Sequence, residues 1–170
     1  YNLARPGALA CGAYRRLLPR LAAFGAIASP FFIGLGGLGW GWWPLNIMFT
    51  LFVAAAVLWL IEVRSSSAIA GAIVLFLVGG LFVEFWWPAL AYIIAAWLYC
   101  RRATWPRLIG WIGAAASLYL INDNMWALTA VPALFMLAGV PVALPRARWV
   151  FYAFYPVHLA ALWGARALFS

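Results

Sequence analysis

The sequence contains no lysine, one histidine and three acidic residues, and charged residues make up only 8% of its 170 positions. A soluble domain carries about 25% charged residues, because its surface faces water. Hydrophobic residues account for 69% of the chain, and 12 of them are tryptophan. This balance excludes an ordinary soluble domain and predicts an integral membrane protein whose main partner is the lipid bilayer.

Long apolar stretches such as residues 48–61 (MFTLFVAAAVLWLI) and 68–83 (AIAGAIVLFLVGGLFV) do not alternate with polar residues. A barrel strand alternates over about ten residues, whereas a helix satisfies its own backbone hydrogen bonds in lipid. We therefore predict an all-α, polytopic transmembrane helix bundle, with residues 1–170 forming a single integral membrane domain. We expect about seven membrane segments, at residues 17–38, 46–63, 68–86, 87–100, 108–121, 125–143 and 149–168.

The third and fourth segments form one almost unbroken apolar run, residues 68–100. A single helix of that length would be roughly 50 Å long, whereas a bilayer core is about 30 Å thick. We predict that the chain turns at EFWWP, residues 84–88, where Pro88 disfavours helical geometry at Trp87.

The chain contains too few cysteine and histidine residues for a metal site or a network of disulfides. Cys11 and Cys100 lie near arginine-rich stretches and are expected to be reduced thiols. No second histidine accompanies His158 and neither cysteine is spaced to join it, so we predict no metal site. A Ser-His-Asp triad is also unsupported, since only Ser29 and Ser117 could lie near the depth of His158.

The arginines alternate along the chain, because every second connection between segments is basic. This alternation predicts an odd number of spans that begin in the cytoplasm, and only Arg166 breaks it. The net charge of +8 therefore indicates topology, and we expect no nucleic-acid partner. The basic connections contain Arg5, Arg15 and Arg16; Arg64; Arg101, Arg102 and Arg107; and Arg146 and Arg148.

The same topology gathers Asn46, Thr50, Glu84, Asp123 and Arg166 on the non-cytoplasmic side. For Asn46 and Thr50 the favoured interpretation is helix capping and hydrogen bonds between helices. A carboxylate within apolar sequence is costly, so Glu84 either has a function or pairs with Arg166.

His158 lies about 14 Å along the last predicted helix, close to the middle of a bilayer. Tyr155 is one turn earlier, and Pro156 removes the N–H that would bond the carbonyl of Tyr152. His158 is therefore either a neutral histidine that holds helices together or a group that transfers protons.

Two elements of the sequence resemble the TraX family of conjugation-associated membrane proteins, including its TrbP branch. They are N-I-x-F-T-L at residues 46–51 and F-Y-P-x-H-L at residues 154–159. The resemblance covers nearly all of this chain, but family members begin with further membrane segments and an early Asp-His pair. We therefore expect the chain to be the C-terminal part of a longer protein.

The resemblance implies an enzyme of the bacterial inner membrane that acetylates the N-terminus of a conjugative pilin with acetyl-CoA. The implied partner is the pilin subunit, and the matched positions are Asn46, Thr50, Tyr155, Pro156 and His158. For this reaction we predict His158 as general base, Tyr155 as its orienting group or as a donor to the oxyanion, and Glu84, with Asp123, as the site that holds the amine. Asn46 and Thr50 are predicted, with Asp123, to bind the substrate. The phosphates of acetyl-CoA are expected to contact some of Arg15, Arg16, Arg101, Arg102, Arg107, Arg146 and Arg148.

Two other functions remain open from the sequence. In a proton-coupled transporter, His158 and Glu84 would form a proton relay, although the sequence shows no internal repeat of the kind common in transporters. The chain could also be a non-catalytic membrane component of the conjugation apparatus. Nothing in the sequence predicts an oligomeric state.

Overall fold

The computed structural model describes residues 2–36, 42–138, 140 and 149–169. Within these residues the only β-type pairing is a single bridge between Leu45 and Val83, so the all-α prediction is confirmed. A 3₁₀ turn at Asn2–Ala4 is followed by α1 (Ala13–Gly34), α2 (Ile47–Val63), α3 (Ser66–Phe82), α4 (Trp86–Arg101), α5 (Trp105–Ser117), α6 (Tyr119–Asn122), α7 (Trp126–Ala138) and α8 (Val150–Phe169).

The apolar run at residues 68–100 divides into α3 and α4, as expected, but the chain reverses at residues 83–85. The expectation that Pro88 keeps Trp87 out of a helix is wrong, because Trp87 is the second residue of α4. Pro88 is the third residue, within the first turn, where backbone N–H groups have no acceptor inside the helix. The reversal instead uses positive φ angles of 61° at Phe85 and 47° at Trp86.

Helix α1 lies between α2 and α8. Leu21 of α1 packs against Met48 and Ala55 of α2. Along its other side, Phe24 contacts Tyr152, and Phe31 contacts Trp163. Since both numbers increase together in these pairs, α8 runs parallel to α1.

By length and composition, one helix in the described part of the chain could cross a membrane, namely α1. Three shorter helices are also apolar, at residues Ile47–Val63, Ser66–Phe82 and Trp126–Leu137.

Candidate functional site

Asn46 anchors the start of α2 beside the middle of α1. Its side-chain oxygen accepts a hydrogen bond from the N–H of Met48 at 3.1 Å, which caps the helix. Its Nδ2 donates to the carbonyl of Gly25 at 2.9 Å and to the hydroxyl of Ser29 at 3.1 Å. The side chain is only 1% exposed, so these bonds replace water. The expected capping role of Asn46 is therefore present, together with a link between helices.

The turn between α3 and α4 is held against the start of α2 by backbone and side-chain bonds. The N–H of Glu84 donates to the carbonyl of Leu45 at 2.9 Å, and the N–H of Leu45 donates to the carbonyl of Phe82 at 2.7 Å. The buried hydroxyl of Thr50 donates to the carbonyl of Glu84 at 3.0 Å. These bonds fix the backbone of Glu84 and hence the place of its side chain.

The carboxyl of Glu84 lies at the N-terminus of α2. The backbone N–H of Ile47, the first residue of α2, lies near both this carboxyl and the hydroxyl of Tyr155 from α8. The Oε2 atom of Glu84 is buried and has no hydrogen-bond partner. Burial raises the pKa of Glu84 to about 7, although the N–H of Ile47 acts in the opposite direction. A carboxyl, a hydroxyl and a helix N-terminus therefore lie near one another.

Arg166 does not supply the ion pair considered for Glu84. Its guanidinium donates instead to the carbonyl of Leu35 at 2.9 Å, just beyond the end of α1. An arginine at this position satisfies a carbonyl that the helix leaves without a partner.

The polar contact that the structure describes for His158 lies within its own helix. Its Nδ1 lies 2.9 Å from the carbonyl of Tyr155. In the neutral ring this nitrogen is then the donor, which leaves Nε2 as an acceptor. The imidazole also stacks on Phe154, with ring centroids 5.4 Å apart and planes 10° apart. His158 thus supports the stretch that carries Tyr155, one turn away from the hydroxyl that meets Glu84.

Other predicted residues lie elsewhere. Asp123 is exposed at the end of α6. The hydroxyls of Ser29 and Ser117 donate to carbonyls of their own helices, at Gly25 and Ala114, so neither is oriented as a nucleophile. Both cysteines are free and exposed. In the residues that the structure describes, no group of His, Cys, Asp and Glu side chains could hold a metal ion.

The predicted phosphate-binding arginines differ from one another. Arg101 forms an ion pair with Glu62 and lies over the ring of Trp97, 4.7 Å from its centroid. Arg107 donates to the carbonyls of Leu98 at 2.8 Å and Arg102 at 3.3 Å, which closes the end of α4. Arg15, Arg16 and Arg102 are exposed, and Arg146 and Arg148 lie outside the described residues.

Ile47 is the member of the site that sequence reasoning missed. It contributes a backbone N–H, which no side-chain motif reveals, but the capping residue Asn46 just before it marks where such free N–H groups occur. A helix N-terminus carries a partial positive charge that favours a carboxylate. Hence Glu84, Tyr155 and α2 form one polar site inside an otherwise apolar bundle.

Comparison with curated protein sequences and with solved structures gives no significant match. The family model described as TraX protein, in contrast, matches residues 1–166, almost the whole chain. The chain therefore belongs to the TraX family of conjugation membrane proteins, which links it to the processing of pilin.

Proposed function

We propose that this chain is the membrane-embedded part of an enzyme that acetylates the N-terminal amine of a conjugative pilin with acetyl-CoA. The observation that carries the proposal is the buried, unpartnered oxygen of Glu84, which lies at the N-terminus of α2 beside the hydroxyl of Tyr155. A buried carboxyl without a partner is suited to bind a cation or a proton from a substrate. The N-terminal ammonium of pilin supplies both.

The reaction requires the neutral amine, and Glu84 is suited to produce it. An N-terminal ammonium has a pKa of about 8, and burial raises the pKa of the Glu84 carboxyl to about 7. Proton transfer between two groups with such similar pKa values is nearly balanced, which favours general base catalysis. We therefore assign the role of base to Glu84 and not to His158.

After deprotonation, the amine nitrogen attacks the carbonyl carbon of the acetyl thioester. The hydroxyl of Tyr155 donates a hydrogen bond to the oxyanion that develops. The bond between carbon and sulfur then breaks, and the attacking nitrogen gives its remaining extra proton to the departing CoA thiolate. The neutral amide stays on pilin, CoA leaves as the thiol, and Glu84 releases the first proton to water before the next turnover.

A position within the inner membrane as a multi-pass bundle is supported by the apolar surface of α3. Ile73, Val74 and Leu77 are each more than half exposed, and such a continuous apolar face needs cover from lipid or protein. The arginines provide the orientation. Arg64 directly follows α2, and Arg101 is the last residue of α4. Both lie at the opposite end of α2 from Glu84.

Reporter fusions test this topology. Reporters joined after Arg64 and after Arg102 should be cytoplasmic, and reporters joined after Trp87 and after Asp123 should lie on the other side, because positively charged connections stay in the cytoplasm. Two or more reversed locations would contradict the multi-pass arrangement.

The enzymatic proposal is tested with membranes that contain the full-length protein. They are incubated with labelled acetyl-CoA and purified pilin, and the pilin N-terminus is examined by mass spectrometry. Label on the N-terminal amine supports the proposal. Uptake of a solute into proteoliposomes, with no acetylated pilin, would select a transporter instead.

Replacing His158 distinguishes a structural role from a role in proton transfer. We expect His158→Gln to retain acetyl transfer within about tenfold, because Gln can still donate to the Tyr155 carbonyl and no proton is assigned to the imidazole. Tyr155→Phe should give a larger loss, since it removes the donor to the oxyanion. Rates are normalised to folded protein. A loss beyond a hundredfold in His158→Gln, with Glu84→Gln near parental activity, would return the role of base to His158.

A further inference from the structure

One face of α4 is lined by a continuous series of open pockets. Phe85, just before the helix, is followed on this face by Ala89, Tyr92, Ala96, Tyr99 and Ala103, at alternating spacings of four and three residues. Residues spaced in this way share one side of a helix. Three pockets of about 250, 480 and 170 Å³ follow this side in order. Neighbouring pockets share Tyr92 and Tyr99, so they follow one another as a groove along this side of the helix.

The two ends of the groove differ in chemistry. One end is bordered by Ile47 and Phe85, the neighbours of the Glu84 site. The other end is bordered by Thr104 and Trp105, between Arg102 and Arg107. Helix α4 has 16 residues and is therefore about 24 Å long. A ligand that fills the groove must be elongated, and its anionic end belongs at the arginines.

Trp111 of α5 indicates what the middle of such a ligand contains. Its ring lies between the shared residues, with centroids 6.1 Å from Tyr92 and 5.5 Å from Tyr99. It lines the largest of the three pockets, yet its indole N–H is buried and has no hydrogen-bond partner. A buried donor without an acceptor costs about 1–3 kcal/mol. A hydrocarbon chain would leave that cost in place, whereas an amide carbonyl would remove it.

We propose that this groove, which we call the α4 groove, binds the pantetheine arm of an acyl-CoA. The phosphates lie at Arg102 and Arg107, an amide of the arm accepts from Trp111, and the thioester reaches the end beside Glu84. The inference rests on the proposed function for the identity of the donor, but it concerns binding and requires neither pilin nor turnover.

The test measures binding of CoA itself to the full-length protein in nanodiscs. Ala96 lies in the wall of the largest pocket, so Ala96→Phe fills the groove and should weaken CoA binding by tenfold or more. Ala70→Phe is the matched control, since Ala70 is exposed on α3 and borders none of the three pockets. Unchanged CoA affinity in folded Ala96→Phe overturns the proposal.

Trp111→Phe provides a second test that retains the ring and removes only the N–H. It should weaken CoA binding by roughly 2–10-fold, the value of one hydrogen bond, and leave the affinity for 3′-phospho-ADP unchanged, because that nucleotide lacks the arm. Equal losses for CoA and the nucleotide overturn the proposal. So does a tightly bound phospholipid, found by native mass spectrometry, that CoA fails to displace.

Failure of the inference and failure of the proposed function give different results. If Ala96→Phe blocks CoA binding but the parental protein acetylates no pilin, the α4 groove stands and the proposed reaction fails. If Ala96→Phe acetylates pilin with the parental KM for acetyl-CoA, the reaction stands and the groove is not the path of the donor.

Discussion

Glu84→Gln should reduce acetylation of pilin by roughly 10²–10⁴-fold, the range typical for removal of a general acid or base. The amide has nearly the same shape as the carboxyl and keeps a carbonyl oxygen near the N–H of Ile47, but it can neither take a proton nor attract the substrate ammonium as strongly. The measurement is the rate of label transfer per amount of folded protein.

Glu62→Gln is the matched control for this loss. Glu62 is also largely buried, but it pairs with Arg101 at the opposite end of α2, and so the same substitution there should leave acetyl transfer within a few-fold of the parental rate. Equal losses in the two variants would mean that Glu84 contributes no more to the reaction than any buried carboxyl.

The pH profile gives a second readout of the same prediction. Because Glu84 must be ionised to accept a proton and burial raises its pKa to about 7, parental activity should fall as the pH is lowered through that value. In Glu84→Gln this limb should be absent, and the residual rate should follow ionisation of the pilin amine near pH 8. If the rate of the variant still falls as the pH is lowered through about 7, a group other than Glu84 causes that fall.

Asn46→Ala should destabilise the folded protein by about 2–4 kcal/mol. The change removes the cap of α2, typically worth about 1 kcal/mol, and leaves buried polar groups of α1 with fewer partners. Because the start of α2 carries the N–H of Ile47, the same variant should also lose acetyl transfer in the protein that remains folded. Monodisperse protein in detergent after stepwise heating gives the stability difference.

Asn124→Ala is the control for Asn46→Ala, because it removes a helix cap without removing a link between helices. Asn124 caps the following segment in the same way, since its side-chain oxygen accepts from the N–H of Trp126 at 3.2 Å, but it is exposed and its amide donates only to nearby Asn122. We expect this variant to lose no more than about 1 kcal/mol. Equal losses at the two positions would contradict the importance of the bonds from Asn46 to Gly25 and Ser29.

The family and the helical fold could be predicted because they depend on features spread along the chain. Continuous apolar runs, short connections and two local motifs can be recognised in a sequence without any knowledge of distant contacts. The exact position of the turn between α3 and α4 could not be predicted, because a proline fits both in the first turn of a helix and in the connection before it.

The sequence alone determined that the chain is an all-α protein of the TraX family whose unusual polar residues include Asn46, Thr50, Glu84 and Tyr155. Only the tertiary structure decided which of them meet. Glu84 and Tyr155 are 71 positions apart in the chain, and they converge because α8 runs parallel to α1 while Asn46 holds the start of α2 against the same helix. The hydrogen-bond donor near both of them is a backbone N–H, a group that every residue except proline possesses and that becomes distinctive only at the end of a helix.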